Sequence, residues 1–210
     1  NTHLFASGVE AAHFARAADP ATPVATELAA LSQPVLGYYG VLDERLDLEL
    51  LAALAENYPH WSIVLVGPVT KIDQSELPRA ANLHYVDQQP YERLPSFLKG
   101  FDVCLMPFAL NDATRFISPT KTLEYMAAHK PIVATPVPDV VANWSHIVRI
   151  ADTPDAFAAA VEHALSETQQ QRAERIAREA DVIAEHSWDH IADAMRAQIE
   201  AARFVRKQAS

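Results

Sequence analysis

The sequence predicts an α/β fold, a doubly wound parallel sheet with a C-terminal helical extension, and three observations carry it. Short runs of strand length recur from residue 35 onward, and they are apolar throughout rather than alternating, the pattern of strands covered on both faces. Between them lie stretches with apolar residues at helical spacing. The two kinds alternate at intervals that suit strand–helix crossovers. The chain has 210 residues, 50% of them hydrophobic and 21% charged, enough to bury one large core or two small ones.

Residues 1–34 read as linker or as the remnant of a preceding domain. They are rich in Ala, contain Pro20, Pro23 and Pro34, and offer one helical patch over residues 9–18. The first residue is Asn1 rather than Met, so a piece of a longer protein is expected. Residues 35–40, Val-Leu-Gly-Tyr-Tyr-Gly, form a strand bounded by Pro and Gly. A helix follows over residues 46–57, with apolar side chains at Leu46, Leu48, Leu50, Leu51, Leu54 and Ala55. Residues 61–66 are a second strand, ended by Gly67-Pro68, and residues 83–86 a third. Residues 90–99 read as a short helix with Leu94, Phe97 and Leu98 on one face. Strands at 103–107, 132–135 and 146–150 then alternate with helices at 119–129 and 155–167. From 167 to about 206 the chain is helical, broken near His186, with Ser187 capping a final helix opened by Trp188 and Asp189. The expected division is therefore 1–34, a sheet domain over 35–185, and a closing helix over 186–210.

Composition excludes several function classes. Seventeen basic against 27 acidic side chains give a formal charge of −10, so no nucleic-acid partner is expected and an anionic ligand needs a local site. The single Cys104 excludes an internal disulfide and a multi-cysteine zinc site, and its apolar neighbours make it a buried thiol. The five glycines, Gly8, Gly37, Gly40, Gly67 and Gly100, supply neither a GxGxxG fingerprint nor a phosphate-binding P-loop. No HExxH and no Gly-x-Ser-x-Gly is present. His186 and His190 are four apart, but Trp188 and a helix start intervene, so no metal is expected there. No Asp-x-Asp pair is available to bridge a metal to a nucleotide diphosphate, so neither a metal nor another cofactor is expected. No apolar stretch approaches the roughly 20 residues of a membrane span, and no signal peptide is visible.

In open parallel sheets ligands bind beyond the carboxyl ends of the strands, near helix N-termini. The loop before residue 119 is the strongest candidate. Ser118 suits an N-cap and Pro119 the first helical position, which would leave the amides of Thr120, Lys121 and Thr122 facing an anion. Lys121 adds positive charge, and Glu124 lies three residues on, on the same helical face. A lysine with free amides suits a diphosphate, and a carboxylate one turn deeper suits a ribose diol. The same spacing also fits an ordinary capped helix with a Lys–Glu surface pair. Gly40 either lets a ligand approach the backbone or simply makes a tight strand-to-helix turn. Arg45 either reaches a phosphate or forms half of a surface pair with its acidic neighbours. Arg115 and Asp112, in the loop before Ser118, are weaker candidates, equally consistent with solvated side chains.

Residues 118–135, Ser-Pro-Thr-Lys-Thr-Leu-Glu-Tyr-Met-Ala-Ala-His-Lys-Pro-Ile-Val-Ala-Thr, resemble the donor-site segment of family 4 glycosyltransferases. Further matches are residues 40–45 after the first strand, 90–95, and the closing Ser187-Trp188-Asp189. The likeness covers roughly residues 35 to 200, and residues 6–10 resemble the end of the family's acceptor domain. It implies the GT-B architecture, two Rossmann-like domains across a cleft, with this chain as the C-terminal, donor-binding half of a retaining enzyme. By the resemblance Glu124 matches the second glutamate of the Glu-x7-Glu motif and holds the ribose hydroxyls, Lys121 holds the diphosphate, and Arg45 is the nearest basic match. Three positions depart from the pattern: Phe116 stands where the first glutamate falls, Val41 replaces an arginine, and His129 replaces a glycine.

The resemblance implies transfer of a glycosyl group from a UDP-linked sugar to a glycan or lipid-linked acceptor in bacterial surface-polysaccharide synthesis. The implied partners are the nucleotide-sugar, that acceptor and an N-terminal domain of the parent chain. The implied location is the cytoplasm, at the inner membrane only through that other half, and the isolated fragment is expected to be inactive. A sugar-nucleotide epimerase of the same architecture is the nearest alternative. A non-catalytic α/β binding or interaction module is the other, although a receiver domain would need an acidic cluster after the first strand that residues 36–42 do not supply.

Overall fold

A computed structural model describes residues 2–208, with side chains described for residues 2–202; Asn1 and residues 209–210, the ends of the expected division, lie outside the described residues. Six strands form the sheet: β1 (Val35–Tyr39), β2 (Ser62–Val66), β3 (Leu83–Val86), β4 (Val103–Met106), β5 (Ile132–Ala134) and β6 (Arg149–Ile150). All pair in parallel, in the order β3-β2-β1-β4-β5-β6. This is the Rossmann-like doubly wound sheet that the sequence predicts. β1, β2 and β4 are buried at every position, which explains their unbroken apolar runs. Gly37 is a packing requirement rather than a turn: a β-carbon there would lie 2.1 Å from the Phe101 ring.

The helices that cover the sheet follow from local signals. In α2 (Leu48–Asn57) the Asp47 carboxylate caps the first turn by accepting from the Leu50 amide at 2.8 Å, and Leu50, Leu51, Leu54 and Ala55 face the core. α6 (Pro154–Leu165) is capped by Thr153, and α7 (Gln169–Glu185) opens on a capping box of Thr168 and Gln171. Ser187 accepts from the His190 amide at 3.2 Å at the start of α8 (Trp188–Gln208), as its position predicts. Among the described residues no helix is long and apolar enough to cross a membrane.

Four stretches differ from the sequence expectation. The predicted helix over 90–99 splits into a 3₁₀ turn at Tyr91–Arg93 and α3 (Leu94–Gly100), because Pro95 sits in the first turn and donates no amide. The predicted helix over 119–129 narrows to α4 (Lys121–Ala127). α5 (Pro138–Trp144) was not expected at all, although Pro138 sits in its first turn. It shortens β6 to two residues, since the amides of Ile147 and Val148 bond back to the Trp144 carbonyl. α4 stops at His129, which takes a left-handed φ of 55° while the Lys130 amide returns to the Tyr125 carbonyl at 3.1 Å.

The first segment packs on this body. α1 (Ala11–Ala15) buries Phe14 and His13, and His13 stacks on Tyr91 with ring centroids 4.0 Å apart. The Val9 amide donates to the His186 carbonyl at 2.9 Å, so the two ends of the sheet domain are tied together at the start of α8. On α7, Arg175 is buried between two carboxylates, donating to Glu179 at 2.7 Å and to Glu167 at 2.8 Å.

Candidate functional site

The strand order reverses between β1 and β4, and ligands in such sheets bind at that crevice. Gly40 leaves β1 there with a φ of +144°, a conformation glycine takes without strain, and its amide donates to the Val66 carbonyl at 2.8 Å. The first residue of α4 lies directly over it: a β-carbon on Gly40 would sit 2.3 Å from Lys121 Cε and 2.8 Å from Nζ. The Lys121 ammonium is 5.7 Å from the centroid of the Tyr38 ring. Burial lowers its pKa, and although Glu124 and Asp43 favour its charge, no carboxylate pairs with it and no acceptor bonds it among the described residues. A half-buried, uncompensated cation at the switch point has the electrostatics to attract an anion.

Glu124 does not pair with Lys121, so the structure does not build the surface pair that spacing alone allows. Its Oε2 accepts from the Tyr39 hydroxyl at 2.6 Å. The Tyr39 amide in turn donates to the Tyr125 hydroxyl at 3.2 Å, and the two tyrosine rings meet edge to face with centroids 5.1 Å apart. Burial first, and the Glu124 charge second, push the Tyr39 hydroxyl well above its ordinary pKa, so it stays a donor. Spacing gave no route to this contact, since Tyr39 and Glu124 are 85 residues apart.

Arg45 takes the paired alternative. Its Nε donates to Asp43 Oδ1 at 2.9 Å and its terminal nitrogen to Oδ2 at 2.7 Å, while its amide reaches Oδ1 at 3.1 Å. The Asp43 side chain is 2% exposed and that of Arg45 36%. Burial opposes ionisation of Asp43, but the bonds from Arg45 outweigh it and hold the carboxyl below its usual range. The partly exposed guanidinium therefore commits Nε and one terminal nitrogen to Asp43 and leaves its other terminal nitrogen without a partner among the described residues.

The other candidates separate. Ser118 is not the N-cap. Thr120 takes that place with helical dihedrals and no side-chain cap bond, because the Thr122 amide turns back to the Pro119 carbonyl at 3.2 Å and starts the helix later. The Ser118 hydroxyl instead donates to Asp139 Oδ2 on α5 at 3.2 Å. Thr122 is turned away from the opening: its amide is used, and its hydroxyl is buried against Met106 Sδ at 3.5 Å. Of the three expected amides, those of Thr120 and Lys121 have no backbone acceptor among the described residues, whereas that of Thr122 does. Asp112 and Arg115 are exposed, Arg115 lying 5.1 Å from the centroid of an equally exposed Phe116. Their loop is held by Asn111 Oδ1, which accepts from the Ala113 amide at 2.9 Å, and by Thr114, buried beneath it.

A cavity of about 560 Å³ also opens near α4, lined by Phe5, Ser118, Thr120, Leu123, Asp139 and Trp144. It borders the face carrying Thr120 and Leu123, not the face carrying Lys121 and Glu124. Lys121 and Glu124 do not line this cavity.

Comparison with known proteins agrees with the fold. The Bacillus subtilis (strain 168) protein TuaH, named as a teichuronic acid biosynthesis glycosyltransferase, is 29% identical over 189 residues, covering 85% of this chain and 47% of TuaH. The chain thus spans about half the length of that curated relative. Solved structures share the fold. A sucrose-phosphate synthase from Thermosynechococcus elongatus superposes with a TM-score of 0.69 at 21% identity, over 98% of this chain and 53% of that one. The trehalose-6-phosphate synthase OtsA gives 0.68 at 21% identity, over 95% and 51%. Anabaena Alr3699/HepE, solved with UDP and glucose, gives 0.61 at 14% identity, over 79% and 48%. A family model described as glycosyl transferases group 1 matches residues 33–167, from the residue before Pro34 to the start of α7's cap, and so takes in β1 to β6, Gly40, Lys121 and Glu124. On that match the chain belongs to the glycosyl transferases group 1 family.

Proposed function

We propose that this chain is the donor-binding half of a retaining, family 4 glycosyltransferase of the GT-B plan. In this reading residues 1–34 end a preceding acceptor domain, residues 35–185 hold the nucleotide-sugar and residues 186–210 form a closing helix. The parent enzyme transfers a glycosyl group from a UDP-linked sugar to a glycan or lipid-linked acceptor in cell-surface polysaccharide synthesis. It works in the cytoplasm, reaching the inner membrane only through its other half. The likeness to TuaH supports the pathway, and the Anabaena relative bound to UDP supports the base.

The observation that carries the reading is the unpaired Lys121 ammonium over Gly40, with Glu124 one turn along the same helix. As the bond from the anomeric carbon to the diphosphate oxygen breaks, negative charge grows on the leaving group. In this reading the Lys121 ammonium, with the unbonded amides of Thr120 and Lys121, takes up that charge and so stabilises the transition state. Arg45, neutralised by Asp43, contributes to this reading only through the guanidinium donors that Asp43 leaves free. Glu124 holds the ribose, and the acceptor hydroxyl comes from the parent's other half.

Calorimetric titration with UDP, UDP-sugars, GDP and ADP tests this. UDP is expected to bind below millimolar concentration without added divalent metal, and the 210-residue chain to transfer no sugar. Absence of binding by every nucleotide at millimolar concentration, or robust transfer by this chain alone, contradicts the reading.

A further inference from the structure

The chemistry of a diol grip depends on how many carboxylate oxygens are free, and here one is already taken. Tyr39 ends β1, paired with Val66 of β2, and is 5% exposed. Its amide is bonded to the Tyr125 hydroxyl at 3.2 Å and its ring is wedged edge-on against that of Tyr125. The phenol cannot swing away without breaking this packing. It has one proton, and it gives that proton to Glu124 Oε2 at 2.6 Å. Oε1 accepts from nothing among the described residues.

We propose that Tyr39 is a positioning residue that makes Glu124 a one-oxygen acceptor, so that the site grips one hydroxyl of a vicinal diol strongly and its neighbour weakly. This rests on the nucleotide reading above. An untethered carboxylate can rotate to present both oxygens equally to two neighbouring hydroxyls. Glu124 cannot, because the short bond to Tyr39 fixes its plane and draws electron density from Oε2. That oxygen keeps a spare lone pair for a second, weaker bond. The raised pKa of the Tyr39 hydroxyl keeps this bond in place across the neutral range, so the asymmetry is built in rather than switched.

The test titrates UDP, 2′-deoxy-UDP and 3′-deoxy-UDP into the chain and into Tyr39→Phe. A lost bond to a charged acceptor predicts that one deoxy analogue binds about tenfold or more weaker than UDP while the other stays within about threefold. In Tyr39→Phe the two analogues should come within about threefold of each other, because Glu124 is then free to turn. Equal weakening of both analogues in the native chain overturns the inference, whatever the variant does, so a misfolded variant does not protect it. An asymmetry that survives unchanged in a folded Tyr39→Phe also overturns it, since Tyr39 then only packs. If UDP itself does not bind, the nucleotide reading falls and takes this inference with it. UDP binding with equal losses removes only the role of Tyr39.

Discussion

Lys121 lies across Gly40 so closely that any β-carbon at that glycine would stand 2.3 Å from the lysine's Cε. The two residues come from opposite sides of the strand-order reversal. One supplies backbone without a side chain, and the other a cation with no ion-pair partner among the described residues.

Gly40→Ala should therefore damage binding more than stability. The far end of a lysine can move aside, so the stability loss comes mainly from the φ of +144° and should be about 1–3 kcal/mol. The displaced ammonium leaves the anion site, and diphosphate affinity should drop at least tenfold, roughly 1.4 kcal/mol. Thermal melts and titrations on the same variant check this. Full affinity in a destabilised Gly40→Ala would detach Lys121 from the ligand.

Lys121→Ala and Glu124→Gln should fail in different ways. Losing a charge-assisted phosphate contact is typically worth about 1.5–3 kcal/mol, or roughly 10- to 150-fold for the diphosphate. The bare nucleoside should barely notice that change. Glu124→Gln should weaken nucleoside and diphosphate by similar factors. Equal losses for nucleoside and diphosphate in Lys121→Ala would mean that the phosphate lies elsewhere.

Alkaline pH should weaken diphosphate binding earlier than an ordinary lysine would. Burial lowers the Lys121 pKa in the free protein, so the ammonium there is a standing cost that vanishes as pH rises through the lowered value. A bound diphosphate needs the charged form. Affinity is expected to fall as pH climbs through that value, starting below the roughly 10.4 of a free lysine. In Lys121→Arg the guanidinium stays charged and the profile over this range should be flat. Titration calorimetry at successive alkaline pH values reads it out, and a flat profile in the native protein contradicts it.

Arg45→Ala should destabilise the fold, because it leaves the nearly buried Asp43 carboxylate without its partner. The expected loss is roughly 1–3 kcal/mol, the usual consequence of orphaning a buried acceptor. Arg45→Ala with Asp43→Asn should recover part of it. Urea unfolding of Arg45→Ala, Asp43→Asn and the double variant measures this, and additive losses would show that the pair is not a structural clamp.

Arg175→Ala should be the most destabilising of these changes, by about 3–5 kcal/mol, since it strands Glu179 with no exposed surface. Burial disfavours ionised Glu167, yet Arg175 and Arg149 outweigh it and hold the carboxyl below its ordinary value. The stabilisation from Glu167 is therefore complete above the ordinary carboxylate range and is lost as pH falls through the lower folded value. The gap between native protein and Arg175→Ala should narrow toward roughly pH 3 in denaturant titrations. A gap that is constant down to that pH would exclude Glu167 as the source.

What the sequence by itself determined is the sheet and the helix that carries Lys121 and Glu124. Runs such as Val35 to Tyr39 and Ser62 to Val66 are apolar at every position because both faces are covered, and that pattern is local enough to read directly. Lys121 and Glu124 were legible because they share one helix turn with Pro119 just ahead. α5 was not legible, since seven residues with only Val140 buried leave little periodicity. Ser118 misled because a proline-led turn, rather than a side-chain cap, opens α4. The tertiary structure alone decided which charges are free. Arg45 is clamped by Asp43 and Glu124 is tethered through one oxygen to Tyr39, while Lys121 has no hydrogen-bond or ion-pair partner among the described residues. Such pairings depend on where β1 and α4 meet in space, and a charged group offers a ligand only the capacity that packing leaves unpaired.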